Sequence, residues 1–313
     1  MITVEELALQ TEEMASVAAT LYRPELMPGS ALPLLFLLPG GGLSRRYFDI
    51  VIEGDDAYSQ ARWFARRGFL VVAMDYPGAG DSSLDVDGVP PTRAQVEQGV
   101  ASAVRQVVSR LEAGQLCEGL PAVEISLVLG AGHSVGGHVI VGTQATHRVF
   151  DAIAPLGASM VGTHLYLREG LRYPYRASAS DRDRLAATAQ VDWKQNDHWG
   201  DVPEAVLAAD SAREPLAPWR TRNVPMFAGE LVQPFASARQ AANIQVPVLL
   251  VYGEQDVTLE PLEDVATFRS APSVALAIVP AMGHSHNMAG SRELLWTRLR
   301  LFAEEVITLR SLA

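Results

Sequence analysis

Ile125-Ser126-Leu127-Val128-Leu129-Gly130-Ala131-Gly132-His133-Ser134-Val135-Gly136-Gly137 is the stretch on which the fold turns. Its first five residues are apolar apart from Ser126, as strands covered on both faces tend to be. The next part, Gly132-His133-Ser134-Val135-Gly136, sets a serine between glycines two before and two after it. A serine on a sharp strand-to-helix turn needs small neighbours on both sides, because its own backbone is strained and the chain packs tightly against itself there. Such a five-residue pattern arises by accident in roughly one chain of this length in ten, given average glycine usage near ~7%. Its placement decides the matter: a buried strand precedes it and a helix-like run, Gly137 to Ala145, follows. Ser134 is therefore the candidate nucleophile.

Working outward, short apolar runs recur at Leu34 to Leu38, Phe69 to Met74 and Ala152 to Leu156, separated by stretches with helical spacing. This alternation predicts a mostly parallel, doubly wound α/β sheet with crossover helices. From Thr92 to Leu111, Val96, Val100, Val104, Val107, Val108 and Leu111 fall on one helical face that should lie on the sheet. Glu6 to Met14 and Ser16 to Tyr22 read as an antiparallel edge pair. The rhythm breaks after Leu156, resumes at Val246 to Tyr252 and Val274 to Val279, and closes with an amphipathic helix from about Arg292 to Leu309. These breaks divide the chain into a core, residues 1–157 and 246–313, and a helical cap insertion, residues 158–245.

The 313 residues carry a net charge of -11, which opposes nucleic-acid phosphates and anionic lipid heads. Neither nucleic acid nor membrane is an expected partner, and the sequence is silent on oligomeric state. The single cysteine, Cys117, cannot form an internal disulfide, and no cysteine cluster offers a zinc site. No metal or cofactor is expected. Met1-Ile2-Thr3-Val4-Glu5-Glu6 puts acids where a secretory signal has positive charge, so a cytoplasmic location is the expectation.

The elbow and its surroundings resemble the α/β-hydrolase superfamily over about Leu34 to Leu156 and Val246 to the C-terminus. Leu37-Leu38-Pro39-Gly40-Gly41-Gly42 stands where that family has its oxyanion turn, although the family often has histidine in place of Pro39. The resemblance implies an oxyanion hole built from the N–H groups of Gly41 and Val135, with Gly42 as the substitute for Gly41. Asp75-Tyr76-Pro77-Gly78-Ala79-Gly80-Asp81-Ser82 resembles the family's next turn, with a structural role. A serine is a weak nucleophile at its own pKa and needs a base and an orienting acid. The family's order is serine, acid, histidine. Gly253-Glu254-Gln255-Asp256 resembles the acid turn, which implies Asp256 as the acid with Glu254 as its rival. After Ala152 to Leu156 there is only Gly157-Ala158-Ser159, without a carboxylate. Gly283-His284 after the last strand matches the base position, with His286 as the alternative. His133 is expected beneath the elbow and His138 in the helix beyond it.

The reaction implied is hydrolysis of a carboxylic ester or lactone of a hydrophobic small molecule. Thioester, amide and carbon–carbon hydrolysis share the same triad, and a non-catalytic ligand-binding receptor could keep the same fold. Dehalogenase and epoxide-hydrolase chemistry uses a carboxylate at the elbow, which Ser134 opposes. Specificity is expected from the cap, where Trp193, Trp199, Trp219, Tyr166, Tyr173, Met226, Phe227 and Phe235 supply large apolar groups. A small core inside the cap would use the same residues. Tyr47, just past the glycine turn, is a further candidate for the pocket wall.

Overall fold

In a computed structural model, residues 2–11, 14–26, 31–82, 89–166, 191–222, 224–231 and 233–312 are described. Eight strands form the main sheet: β1 (Ile2–Thr11), β2 (Met14–Pro24), β3 (Ala31–Leu38), β6 (Leu70–Met74), β7 (Glu124–His133), β8 (Ala152–Leu156), β9 (Val248–Gly253) and β10 (Val274–Val279). Their spatial order is β1-β2-β6-β3-β7-β8-β9-β10. From β6 to β10 all neighbours are parallel, whereas β1 pairs antiparallel with β2, and β2 with β6. The mostly parallel α/β-hydrolase sheet and its antiparallel edge are thus the architecture that the sequence implied.

Hydrophobicity explains which strands lie inside. Leu34 to Leu38 and every residue of β6, β8 and β9 are buried, because helices cover both faces. On one face lie α2 (Arg93–Glu112) and α3 (Val135–His147). On the other lie α1 (Gln60–Ala65) and α8 (Arg292–Ser311). Helix α2 buries Val96, Val100, Val104, Val107 and Leu111, the stripe read from its spacing, with Val108 partly covered. Thr92 caps it: the hydroxyl accepts from the Gln95 N–H and the Gln95 side chain returns to the Thr92 N–H.

Two features depart from the sequence reading. Strand β7 runs on to His133, although Gly130-Ala131-Gly132 looks like a turn. A Cβ on Gly132 would lie 2.2 Å from the Gly136 carbonyl oxygen, so glycine here permits close approach and does not end the strand. A small hairpin, β4 (Ile50–Ile52) and β5 (Asp55–Tyr58), precedes α1. Among the described residues between β8 and β9 stand four short helices, α4 (Trp193–Asp197), α5 (Glu204–Ser211), α6 (Ala228–Leu231) and α7 (Ala238–Ala241), as the helical pieces expected there. Among the described residues no helix is long and apolar enough to cross a membrane.

Topology places the site. The chain passes from β3 to β6 on one side, then crosses by α2 to β7 on the other. The carboxyl ends of β3 and β7 therefore flank a crevice at the reversal of strand order, where open α/β sheets bind ligands.

Candidate active site

Ser134 is the hinge between β7 and α3, with φ 51° and ψ -118°. Residues with a side chain rarely adopt positive φ, and they persist there only when the surroundings hold them. The surroundings here are its own N–H, bonded to the Leu156 carbonyl at 2.8 Å, and its carbonyl, which accepts from the Gly137 N–H at 2.9 Å. The glycines give the clearance that the motif anticipated: a Cβ on Gly136 would stand 2.3 Å from the Leu38 carbonyl oxygen.

The glycine turn expected to hold the oxyanion, Pro39 to Gly42, lies directly against this elbow. A Cβ on Gly40 would meet Ser134 Cβ at 3.2 Å, and one on Gly41 would meet Val135 at the same distance. Gly40, Gly41, Gly42 and Val135 border one cavity with Ser134. The turn is held from outside: the Gly42 carbonyl accepts from the Thr221 N–H at 2.9 Å, and the Ser44 N–H donates to the Trp219 carbonyl at 2.9 Å. Beneath it, Asp75 accepts from the Arg45 backbone and guanidinium, both at 2.6 Å, and from the Asp81 N–H at 3.0 Å. Asp75 and Asp81 thus sit in the bracing of the turn.

Asp256 and His284 arrive from the loops after β9 and β10. His284 Nδ1 lies 2.7 Å from Asp256 Oδ1, and both side chains are buried. Glu254 is exposed and accepts from the Ala281 N–H instead. The Asp256 carboxylate also receives the Gly253 and Val257 N–H groups at 2.9 and 2.7 Å, and His286 Nε2 approaches Oδ2 at 2.6 Å. Burial alone would raise the Asp256 pKa, but the two imidazoles and their hydrogen bonds hold it well below the usual carboxylate range. Burial likewise penalises a charged His284, yet the Asp256 charge and hydrogen bond outweigh it and raise the His284 pKa above its ordinary value. His284 borders the cavity with Ser134; His286 does not.

His133 lies beneath the elbow, as expected. Its Nε2 donates to the His284 carbonyl at 2.8 Å and its ring stacks on Tyr47 at 4.9 Å. Burial first, then the neighbouring histidines, push its pKa well below the ordinary value. His133, His284 and His286 each offer a nitrogen within 4.8 Å of the others, the one grouping among the described residues with metal-compatible spacing. One nitrogen of each ring is already engaged by Asp256 or the His284 carbonyl, and we read the group as a hydrogen-bonded cluster.

The cavity measures about 730 Å³. Of the large side chains expected in its wall, Trp193 borders it; Trp199, Trp219, Tyr166, Met226, Phe227 and Phe235 do not, and Tyr173 lies outside the described residues. Trp219 is buried with its indole N–H on Asp210 at 2.7 Å, and Phe227 packs on Tyr76. Tyr47 is also displaced from the expected position: its hydroxyl accepts from the Asn287 N–H at 3.1 Å and its carbonyl from the Asn287 amide, in the layer under the site. Met226 and Phe235 are exposed, and aliphatic groups such as Leu43, Leu165, Leu207, Leu216 and Val224 line the space instead.

Sequence reading missed a polar cluster in that wall. Arg220 bonds Asp210 through two nitrogens and reaches Asp197 at 3.2 Å, while His198 Nε2 lies 3.0 Å from Asp210. These residues are spaced irregularly over Asp197 to Arg220 and only folding joins them. His138 also faces the cavity, its Nδ1 held by Ser237 Oγ at 2.8 Å; burial, then the Arg93 charge, lower its pKa to about 3.

Comparison with known proteins gives a consistent placement. The family described as serine aminopeptidase, S33, matches residues 56–288. Solved structures with the same fold include a thermophilic esterase from Thermogutta terrifontis, 16% identical, with a TM-score of 0.59 over 96% of this chain and 99% of that one. The α/β hydrolase GrgF from Penicillium sp. sh18 is 17% identical, with a TM-score of 0.61 over 98% and 99%. An acylaminoacyl peptidase from Pyrococcus horikoshii is 13% identical, with a TM-score of 0.55 over 97% of this chain and 41% of that one. A comparison with curated proteins gives no match. At these identities the structures speak for the fold, whereas the family match spans well over half of the sequence: the chain belongs to the serine aminopeptidase S33 family of α/β hydrolases and is a hydrolase.

Proposed function

We propose that the protein is a serine hydrolase that cleaves a carboxylic ester or lactone of a hydrophobic small molecule through Ser134, His284 and Asp256. The observation that carries this reading is the pairing of a strained Ser134 with an Asp256-bound His284 on one cavity. Because a carboxylate only accepts, the bond to Asp256 puts the His284 proton on Nδ1 and leaves Nε2 as the basic nitrogen. Ser134 Oγ attacks the carbonyl carbon while His284 Nε2 takes its proton, and the resulting imidazolium is stabilised by Asp256. Gly41 and Val135 direct backbone N–H groups to the developing oxyanion, typically the largest single contribution to such catalysis. Collapse transfers the His284 proton to the leaving alkoxide and gives an acyl-enzyme, which water then hydrolyses with the same base. A lactone would leave its alcohol tethered and yield one hydroxy acid.

The aliphatic wall supports an apolar acyl or alcohol group, and we assign residues 158–245 as the cap that selects it. Amide cleavage is the second reading, favoured by the description of the matching family and by the peptidase of the same fold. A panel of p-nitrophenyl esters of rising chain length, aliphatic and aromatic lactones and aminoacyl p-nitroanilides tests both. Turnover of esters or lactones, lost by at least ~10⁴-fold in Ser134→Ala, is expected. Cleavage of the anilides alone would transfer the assignment to a peptidase, and wild-type rates in Ser134→Ala would reject the mechanism.

A further inference from the structure

Asp256 serves two histidines, and the proposed reaction uses only one. His286 Nε2 lies 2.6 Å from Asp256 Oδ2, slightly closer than His284 Nδ1 lies to Oδ1. His286 is 3% exposed and does not border the cavity, so it reaches no substrate. A carboxylate has no proton to give when ionised, so His286 is the donor in this contact. With the Gly253 and Val257 N–H groups, at least four donors converge on the two oxygens and fix the plane of the carboxylate.

We propose, on the basis of the serine-hydrolase reading above, that His286 is a positioning residue: its hydrogen bond orients Asp256 and draws charge off the oxygen that faces His284, so that it sets the basicity of the base. A donor on Oδ2 competes for the same negative charge that stabilises the His284 imidazolium. Removing it leaves Asp256 a stronger acceptor toward His284, and the base then holds its proton to higher pH. Among the described residues, the other groups that act on this pair are His133 from β7, Asp197 and Arg220 from the segment between β8 and β9, and Tyr252 from β9; the first three act on His284 or His286, and Tyr252 on Asp256. Gly157, just past the end of β8, closes the remaining side, where an added Cβ would touch His286, His284 and Asp256 at 3.0 to 3.2 Å.

The test compares the pH dependence of kcat/KM on a p-nitrophenyl ester for the wild type, His286→Asn and His286→Gln, with fluorophosphonate labelling of each. Asparagine keeps polarity but is too short to reach Oδ2, whereas the glutamine amide nitrogen stands where Nε2 was. In His286→Asn the acid limb is expected to move up by about one pH unit, with kcat down ~10-fold and KM within about 2-fold. His286→Gln is expected to restore most of both. An unmoved acid limb in folded His286→Asn, or a glutamine variant impaired as much as the asparagine one, would overturn the proposal. A measurement on the wild type needs no variant to fold: two strongly downfield imidazole N–H proton resonances, one per histidine, are expected, and a single one would contradict the shared carboxylate. Absence of labelling in the wild type is a distinct outcome, which would reject the serine-hydrolase reading itself and this proposal with it.

Discussion

Ser134 is held in a conformation that its residue type avoids, and the cost falls on backbone hydrogen bonds and glycine clearance around it. The same economy of space governs Gly157. Its φ of +59° and the 3.0 to 3.2 Å clearance to His286, His284 and Asp256 leave no room for a side chain. Gly157→Ala is therefore expected to lower stability by about 1–2 kcal/mol through the left-handed backbone and kcat by ~10²-fold through displaced imidazoles; thermal melts and steady-state kinetics would check both. For His284, the sign of the pH effect follows from its partner. The proposed reaction needs the neutral ring, and Asp256 raises the pKa above the ordinary 6.5, so kcat/KM should climb with pH through a midpoint above 6.5. Asp256→Asn removes that charge and the tautomer control, and should cut kcat by ~10⁴-fold while leaving KM little changed. These residues were legible in sequence because each follows a strand with a family-like turn. What spacing could not separate was His284 from His286, two residues apart in one loop; only their exposure to the cavity separates them.

At the scale of elements, the segment between β8 and β9 is stitched to both halves of the site. The end of α4 accepts the His284 and Ser285 N–H groups through the carbonyls of Asn196 and Asp197, at 3.0 and 2.7 Å. Residues 218–221 clasp the glycine turn, and Arg220 joins the two through Asp197 and Asp210. Burial would raise the Asp210 pKa, but the His198 and Arg220 contacts hold it well below the ordinary 3.8. A depressed carboxylate contributes stability in full above its unfolded value, and that contribution is lost as pH falls through the folded one. Asp210→Asn should thus cost ~3 kcal/mol at pH 7, by leaving a largely buried Arg220 short of charge. The gap to the wild type should narrow as pH drops below 3.8. Denaturant unfolding at pH 7 and pH 3 tests this; a constant gap would refute it. No sequence pattern announced this cluster, since its members share neither a helical face nor a motif.

For the molecule as a whole, the sheet was readable because its strands are short, apolar and doubly covered, so burial on both faces left its mark in composition. The β4–β5 hairpin was not, because Ile50 to Tyr58 mixes acids with apolar residues and pairs over only a few positions. The aromatic residues between β8 and β9 misled for a physical reason: Trp219 and Phe227 are buried in the cores on the two faces of the sheet, and the apolar part of the cavity wall falls mainly to leucines and valines with no distinctive spacing. The fold therefore delivers three loops and one glycine turn to the reversal of strand order, and the proposed chemistry depends on their meeting there. Reaction with a fluorophosphonate probe, followed by peptide mapping by mass spectrometry, tests this most directly. The account predicts a single adduct on Ser134, formed at least ~10²-fold more slowly in His284→Ala. An adduct elsewhere, or labelling of Ser134 at an unchanged rate without His284, would contradict it.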